Sequence, residues 1–211
     1  MVTTRERLIE AANKAFAEHG ILRTSLVEVT RQAGQRNRGA VHYHFGGRDE
    51  LLAAVLEQHT AFLSAREGEL LAIARSRPDD DVASVVEAIV RPAMELAESG
   101  ESGRNYLLIV GELVEMGPAD RNEAVQEMMS RTGGYEVFAV LAERVPDMDE
   151  ELRNERFALM AAFVIGSTAR RVRGTTSEGG GRKQLSTERF VANLISMATA
   201  MVSTEPVPPD D

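Results

Sequence analysis

Cysteine is missing from all 211 residues, which excludes disulfide frameworks, thiolate zinc sites and cysteine nucleophiles. Long apolar runs are missing too: none approaches the roughly 18 residues a membrane span needs, and the N-terminus has no signal-peptide core. The expected location is therefore cytoplasmic, with no membrane partner. There is no convincing strand and no internal repeat. There is also no glycine-rich phosphate loop after a strand, no nucleophile elbow and no H-E-x-x-H pair. Gly179–Gly181 follow no strand and read as linker. The acids Asp79–Asp81 and Asp149–Glu151 sit at predicted helix starts, where the helix dipole accounts for them. His42 and His44 are two apart, on different faces of a helix and without an adjacent carboxylate, so they do not read as metal ligands. No enzyme, metal site or cofactor is expected.

What is present is ordinary for a soluble protein with a real core: 43% hydrophobic and 27% charged residues. The net charge of −9 is unevenly spread. Residues 1–50 hold eight Arg/Lys against six acids, a local balance of +2, which leaves −11 for the remainder. Phosphate affinity depends on local charge, so this asymmetry suits a DNA-reading head on an acidic body.

Nearly the whole chain has helical periodicity, and the predicted fold class is all-α. Thr3 with Glu6 forms a capping box for a helix over Thr4–His19, which Gly20 ends. Helices follow over Leu26–Ala33 and Arg38–Phe45. After Gly46-Gly47 a long helix runs from Arg48 to about Arg75, joining head to body. Pro78-Asp79-Asp80 caps a helix over Val82–Ser99, with Pro92 inside it. Gly100–Gly103 reads as a turn before a helix over Arg104–Met116. Pro118 starts another helix, interrupted or bent near Gly133-Gly134 and ending before Pro146. A helix over Asp149–Val172, a linker at Gly174–Gly181 and a last helix over Ser186–Met201 complete the body. The expected division is a helix-turn-helix domain over 1–47, a helical ligand-binding and dimerisation domain over 48–204, and a disordered tail over 205–211.

The stretch Thr24–Phe45 carries the functional signal. Ser25 and Glu28 have capping-box spacing, Gly34 supplies the left-handed turn after Ala33, and Asn37 is a suitable cap for the next helix. This is a helix-turn-helix, the layout that places a recognition helix in the major groove. A wheel at about 100° per residue puts Val41 and Phe45 inward. It puts Gly39, Ala40 and Tyr43 opposite them, flanked by His42 and His44. Ala40 then faces a thymine methyl, and Arg38 reaches a guanine edge or a phosphate. Tyr43 and His42 bond phosphates, and Arg48 adds a cation at the start of the long helix. Arg36, in the turn, reads as a DNA contact as well.

Residues 4–56 resemble the N-terminal domain of tetracycline-repressor family transcriptional regulators. The resemblance rests on LIEAANKAFAEHG, TSLVEVTRQAG, Arg38-Gly39 with Tyr43-His44-Phe45, and GGRDELL in place of the usual serine-lysine-glutamate helix start. The chain departs from the family at Gln35-Arg36-Asn37, a turn one residue longer and without the apolar plug. It departs also at Thr30 for a small alanine, and at Gly47 for a capping serine. The resemblance implies DNA contacts from Arg38, Gly39, Ala40, His42, Tyr43, His44 and Arg48, with Ser25 or Thr24 touching phosphate; Asn37, at the cap, is a further candidate DNA contact. It also implies a repressor released by a small molecule.

For that effector, a largely apolar molecule, the candidate pocket residues are Phe62, Met94, Tyr106, Met116, Met128, Phe138 and Phe163, with His59, Arg91 and Asn105 as polar handles. The last helix carries a broad apolar arc, and the small residues Ala161, Ala162, Gly166, Ser167 and Ala169 on the one before it permit close helix approach. They predict a homodimer seam at Ala161, Val164, Ile165, Ala169, Phe190, Leu194, Met197 and Met201. Two heads would then meet a pseudo-palindromic double-stranded operator. The competing reading is a helical ligand-binding or interaction protein that does not read DNA.

Overall fold

In the computed structural model, residues 2–116, 122–131, 134–176 and 184–206 are described. They form ten α-helices and no strand, as the periodicity implies. The helices are α1 (Thr4–His19), α2 (Leu26–Gln32), α3 (Ala40–Phe45), α4 (Arg48–Arg75), α5 (Val82–Glu98), α6 (Glu101–Met116), α7 (Glu123–Ser130), α8 (Gly134–Arg144), α9 (Glu150–Thr176) and α10 (Thr187–Ser203). They divide into two compact units, Met1–Phe62 with Leu96–Thr132, and Leu63–Glu95 with Gly133–Asp211. The expected helix start at Pro118, most of the Gly174–Gly181 linker and the end of the 205–211 tail lie outside the described residues.

In the first unit α1 packs on both α2 and α6. Leu8, Ala12, Phe16, Val29, Val41, Leu52 and Val55 are buried together with Ile109 and Leu113. Each large side chain so buried contributes about 1.5–3 kcal/mol. Thr3 caps α1 as its spacing predicts: its hydroxyl accepts the Glu6 N–H at 3.2 Å, and its own N–H donates to the Glu6 carboxylate at 2.7 Å. Gly20 ends α1 at φ +87°, and its N–H donates to the Phe16 carbonyl.

The predicted turn at Gly100–Gly103 is corrected. Only Gly100 takes a positive φ, and α6 starts at Glu101, so Gly103 lies inside the helix. A Cβ on Gly103 would sit 2.0 Å from the Leu96 carbonyl oxygen, so the glycine serves close helix approach instead of a turn.

In the second unit α9 and α10 pack against each other, burying Met160, Val164, Val191, Leu194 and Ala198. Asp81, not the Pro78–Asp80 run, caps α5: its carboxylate accepts the Ser84 N–H at 3.0 Å. Arg144 donates to the carbonyls of Ala74 and Asp81 at 2.8 and 3.0 Å, tying α8 to the end of α4 and the start of α5. Arg66 forks onto Glu95 at 2.8 and 3.0 Å.

Candidate nucleic-acid interface

The reading head is built from short capped segments. Ser25 caps α2 by accepting the Glu28 N–H at 3.4 Å, but Glu28 does not reach back to complete the predicted box. Its carboxylate instead takes Arg31 at 2.6 and 2.8 Å and Gln32 at 3.0 Å, and these donors, Arg31 first, hold it down at about 2. Arg31 is thereby occupied. Thr30, unusual for its place, is 1% exposed, and its hydroxyl donates to the Leu26 carbonyl at 2.8 Å. That bond is what lets a polar side chain replace a small apolar one there.

Thr24 is a correction. It is 2% exposed, and its hydroxyl faces the Gly20 carbonyl at 2.7 Å and the Ala15 carbonyl at 3.0 Å. It locks α1 to α2 and does not present itself to phosphate; of the expected pair, only Ser25 is exposed.

Gly34 has φ +70° with nothing within 4 Å of where a Cβ would sit, so its conformation alone requires glycine. The lengthened turn after it has internal order. The Asn37 side-chain oxygen accepts the Gly39 N–H at 3.0 Å, and its carbonyl accepts the Ala40 N–H, also at 3.0 Å. Asn37 therefore folds the turn, and Gly39 stands at the N-cap without a side-chain cap. This moves the start of α3 from the expected Arg38 to Ala40. The outward position predicted for Ala40 is corrected with it: Ala40 is 4% exposed and packs inward beside Val41 at 1%. A wheel gives a side chain's direction but not what covers it: Ala40 is the first residue of α3, which packs on α2, and its methyl is enclosed there.

The exposed face of α3 is consequently polar and aromatic. Tyr43 is 83% exposed; His42 is exposed, and His44 and Phe45 are half-buried. His42 Nδ1 lies 2.9 Å from the Gly46 carbonyl, closing the end of α3. Tyr43 and His44 meet edge to face with centroids 5.0 Å apart. Arg36 and Arg38 are exposed beside them.

Arg48 behaves otherwise than expected: its guanidinium donates to the Ile21 carbonyl at 2.5 Å. The Ile21 N–H donates to Glu112 Oε1 at 2.9 Å. Arg48 and Glu112 therefore grip one residue of the α1–α2 connection, from α4 and α6. Neither contact has a local sequence signal, because the partners are 27 and 91 residues from Ile21.

Comparison with known proteins accords with this geometry. A family profile described as "Bacterial regulatory proteins, tetR family" matches residues 8–55, and one described as "Tetracyclin repressor-like, C-terminal domain" matches residues 87–201. The second covers more than half of the chain. The chain belongs to the tetracycline-repressor family. The HTH-type transcriptional regulator TtgR of Pseudomonas putida is 40% identical over 70 residues, 31% of this chain and 33% of the relative. The HTH-type transcriptional regulator AcrR of Shigella flexneri is 28% identical over 126 residues, 56% of each chain. With TtgR the chain thus spans about a third of the relative's length. A transcriptional regulator from Rhodococcus sp. Rha1 shares the fold, with a TM-score of 0.58 and 22% identity over 97% of this chain and 100% of that one.

The expected ligand residues fall into both units. Of the first unit's, Tyr106 and Met128 are 6% and 8% exposed, Met116 is half-buried, and Phe62 is 42% exposed. His59, half-buried and below its ordinary pKa because of burial, contacts the Ser102 hydroxyl at 3.0 Å and meets Tyr106 edge to face with ring centroids 5.3 Å apart. Asn105 donates to the Asn13 side chain at 2.9 Å and lines an open cleft of about 820 Å³ with Arg7, Glu10, Lys14 and Glu101. That cleft is charged and does not suit an apolar molecule. In the second unit Met94 is 4% exposed, Phe163 is half-buried, and Phe138 stacks on Phe157 at 5.6 Å. Arg91 is held by Glu87 at 2.6 Å and Glu188 at 3.5 Å. The three expected polar handles are thus engaged within the chain.

The expected seam is likewise corrected in part. Val164, Ala169 and Leu194 are 1–2% exposed and satisfied inside one chain. Ala161, Ile165, Phe190 and Met201 are half-buried, and Met197 is 47% exposed. The face left open includes Ala162, Gly166 and Met197, which are among the expected residues, together with Ala158 and Leu159 on α9 and Ala192, Ser196 and Ala200 on α10. Among the described residues no helix is long and apolar enough to cross a membrane.

Proposed function

We propose that this chain is a sequence-specific DNA-binding transcriptional regulator, a repressor released from its operator by a small, largely apolar molecule. The observation that carries the reading is the asymmetry of α3. Ala40 and Val41 anchor it in the core while Tyr43, His42 and the flanking Arg36 and Arg38 stand outward beside a turn ordered by Asn37. A short rigid helix with buried small residues and exposed phosphate-seeking groups fits a major groove about 12 Å wide. Functionally the head is 1–47 and the effector and dimer part 48–204, with the protein acting in the cytoplasm. Two copies joined through α9 and α10 would place two heads on a pseudo-palindromic operator, with half-sites about 34–36 Å apart.

Helix α4 is unbroken from Arg48 to Arg75, which supports coupling of effector binding to the head. A coupling of about 1–3 kcal/mol would lower operator affinity roughly 5–150-fold.

Footprinting on the DNA flanking the chain's own gene, followed by a salt titration of the protected fragment, tests the reading. The expected result is a steep negative log–log slope, with affinity lost in Tyr43→Ala and Arg38→Ala but melting unchanged. Uniformly flat binding across such fragments would refute it and leave the non-DNA-binding alternative.

A further inference from the structure

We propose that Arg5, outside the helix-turn-helix, is a phosphate-contacting residue placed by the recognition helix itself. The inference rests on the DNA-binding reading above and extends its contact set to the first turn of α1. The Arg5 guanidinium carbon lies 5.2 Å from the centroid of the Phe45 ring, the last residue of α3. Phe45 is 6.4 Å from His44, which is 5.0 Å from the highly exposed Tyr43. Arg5, Phe45, His44 and Tyr43 thus form one run of cation and rings along the end of the exposed face.

Arg5 is also chemically available. It is exposed, and among the described residues no carboxylate lies within ion-pair distance of it. Its sequence neighbour Glu6 is the obvious neutralising partner, but the capping box with Thr3 takes that carboxylate. Arg31, by contrast, is spent on Glu28, and Arg48 on the Ile21 carbonyl. A cation resting on an aromatic face keeps its N–H edges outward in the ring plane's direction, so stacking positions Arg5 without consuming its donors.

The polarity of α3 makes the placement meaningful. A recognition helix presents its N-terminal residues to the base edges. A cation on Phe45, at the C-terminal end of α3, therefore lies away from the bases and toward the phosphate backbone. Arg5 would bind there and fix the depth of α3, without reading a base.

The test is the salt dependence of binding to the footprinted fragment. Arg5→Gln should reduce the log–log slope by about 0.9 per head, near two for a dimer, while Arg5→Lys keeps the slope. Melting is measured for each variant. If Arg5→Gln proves unstable, Arg5→Ala, the better helix former, carries the same measurement. An unchanged slope in a folded Arg5→Gln or Arg5→Ala protein would overturn the assignment even where wild type binds steeply. A wild type with no salt-dependent binding at all would instead overturn the DNA-binding reading beneath it.

Discussion

The backbone N–H of Ile21 donates to the Glu112 carboxylate at 2.9 Å, so an acid on α6 closes the connection between the first two helices of the reading head. The same carboxylate explains Gly20: a Cβ there would lie 3.2 and 3.3 Å from the two Glu112 oxygens, on a backbone already at φ +87°. Charge-assisted bonds of this kind are worth about 1.5–3 kcal/mol, and a partner left unpaired costs a similar amount. Glu112→Ala is therefore expected to lose about 2 kcal/mol of stability and to weaken operator binding. Glu112→Gln, which keeps an accepting oxygen, should lose less than half of that. Denaturant melts and hydrogen exchange at the Ile21 amide check this, and equal stability of Glu112→Ala and wild type would count against it.

Two glycines inside helices make opposite predictions. Gly103 has no room: a Cβ would press within 2.0 Å of the Leu96 carbonyl oxygen, a backbone atom that cannot swing aside. Gly103→Ala should therefore destabilise by about 3 kcal/mol, the upper end for overpacking. That lowers the melting temperature by roughly 6–12 °C in a chain of this size. Gly68, in α4, has nothing within 4 Å, so Gly68→Ala should stabilise by about 0.5–1 kcal/mol through backbone entropy alone. Calorimetry of both variants decides it, and the same sign for both would contradict the packing described.

These cases separate what was legible in the sequence from what was not. The capping box at Thr3, the left-handed Gly34 and the full extent of α4 were legible, because each depends on residues within one turn or on simple periodicity. Ala40 stands at the first residue of α3, beside α2, and a wheel gives a side chain's direction without showing which neighbouring element covers it. Thr24 was misassigned because its partners are backbone carbonyls of the preceding helix end, which a side-chain pattern does not reveal. Glu112 and Arg48 gripping Ile21 were invisible: partners tens of residues apart leave no local trace. The broad apolar arc of α10 is legible from helical periodicity. Which edge of it is filled within one chain is not, because that depends on packing between helices distant in sequence.

The open face of α9 and α10 predicts a specific way to break a dimer. Ala158, Ala162 and Gly166 recur at four-residue spacing, as do Ala192, Ser196 and Ala200, and all six are exposed. A Cβ on Gly166 would meet nothing within 4 Å in the single chain. Small residues in register allow close helix approach, which a long charged side chain in the seam would block on both copies. Ala162→Glu should therefore weaken dimerisation at least about 100-fold, since a charge buried without a partner costs several kcal/mol. Its helix content should be unchanged, because the site is exposed within each chain. Sedimentation velocity reads the result, and an intact Ala162→Glu dimer would place the seam elsewhere.

Glu67 on α4 has its Oε2 buried without a hydrogen-bond partner among the described residues. Burial disfavours its charged form and pushes its pKa up to about 8 from an ordinary 4.5. The sign follows from proton counting. Between about pH 4.5 and 8 the folded state holds a proton that the unfolded state has released, so stability falls as pH rises through this window. Below it both states are protonated and the carboxyl costs nothing electrostatic; above it the folded protein carries a buried, unpaired charge. Glu67→Gln removes the titration. It should melt close to wild type at pH 4.5 and higher than wild type at pH 8.5, by several degrees on a scale of roughly 2–4 °C per kcal/mol. Paired melts across that range check it. Parallel pH profiles for wild type and Glu67→Gln would show that the carboxyl finds a donor or water that neutralises its burial.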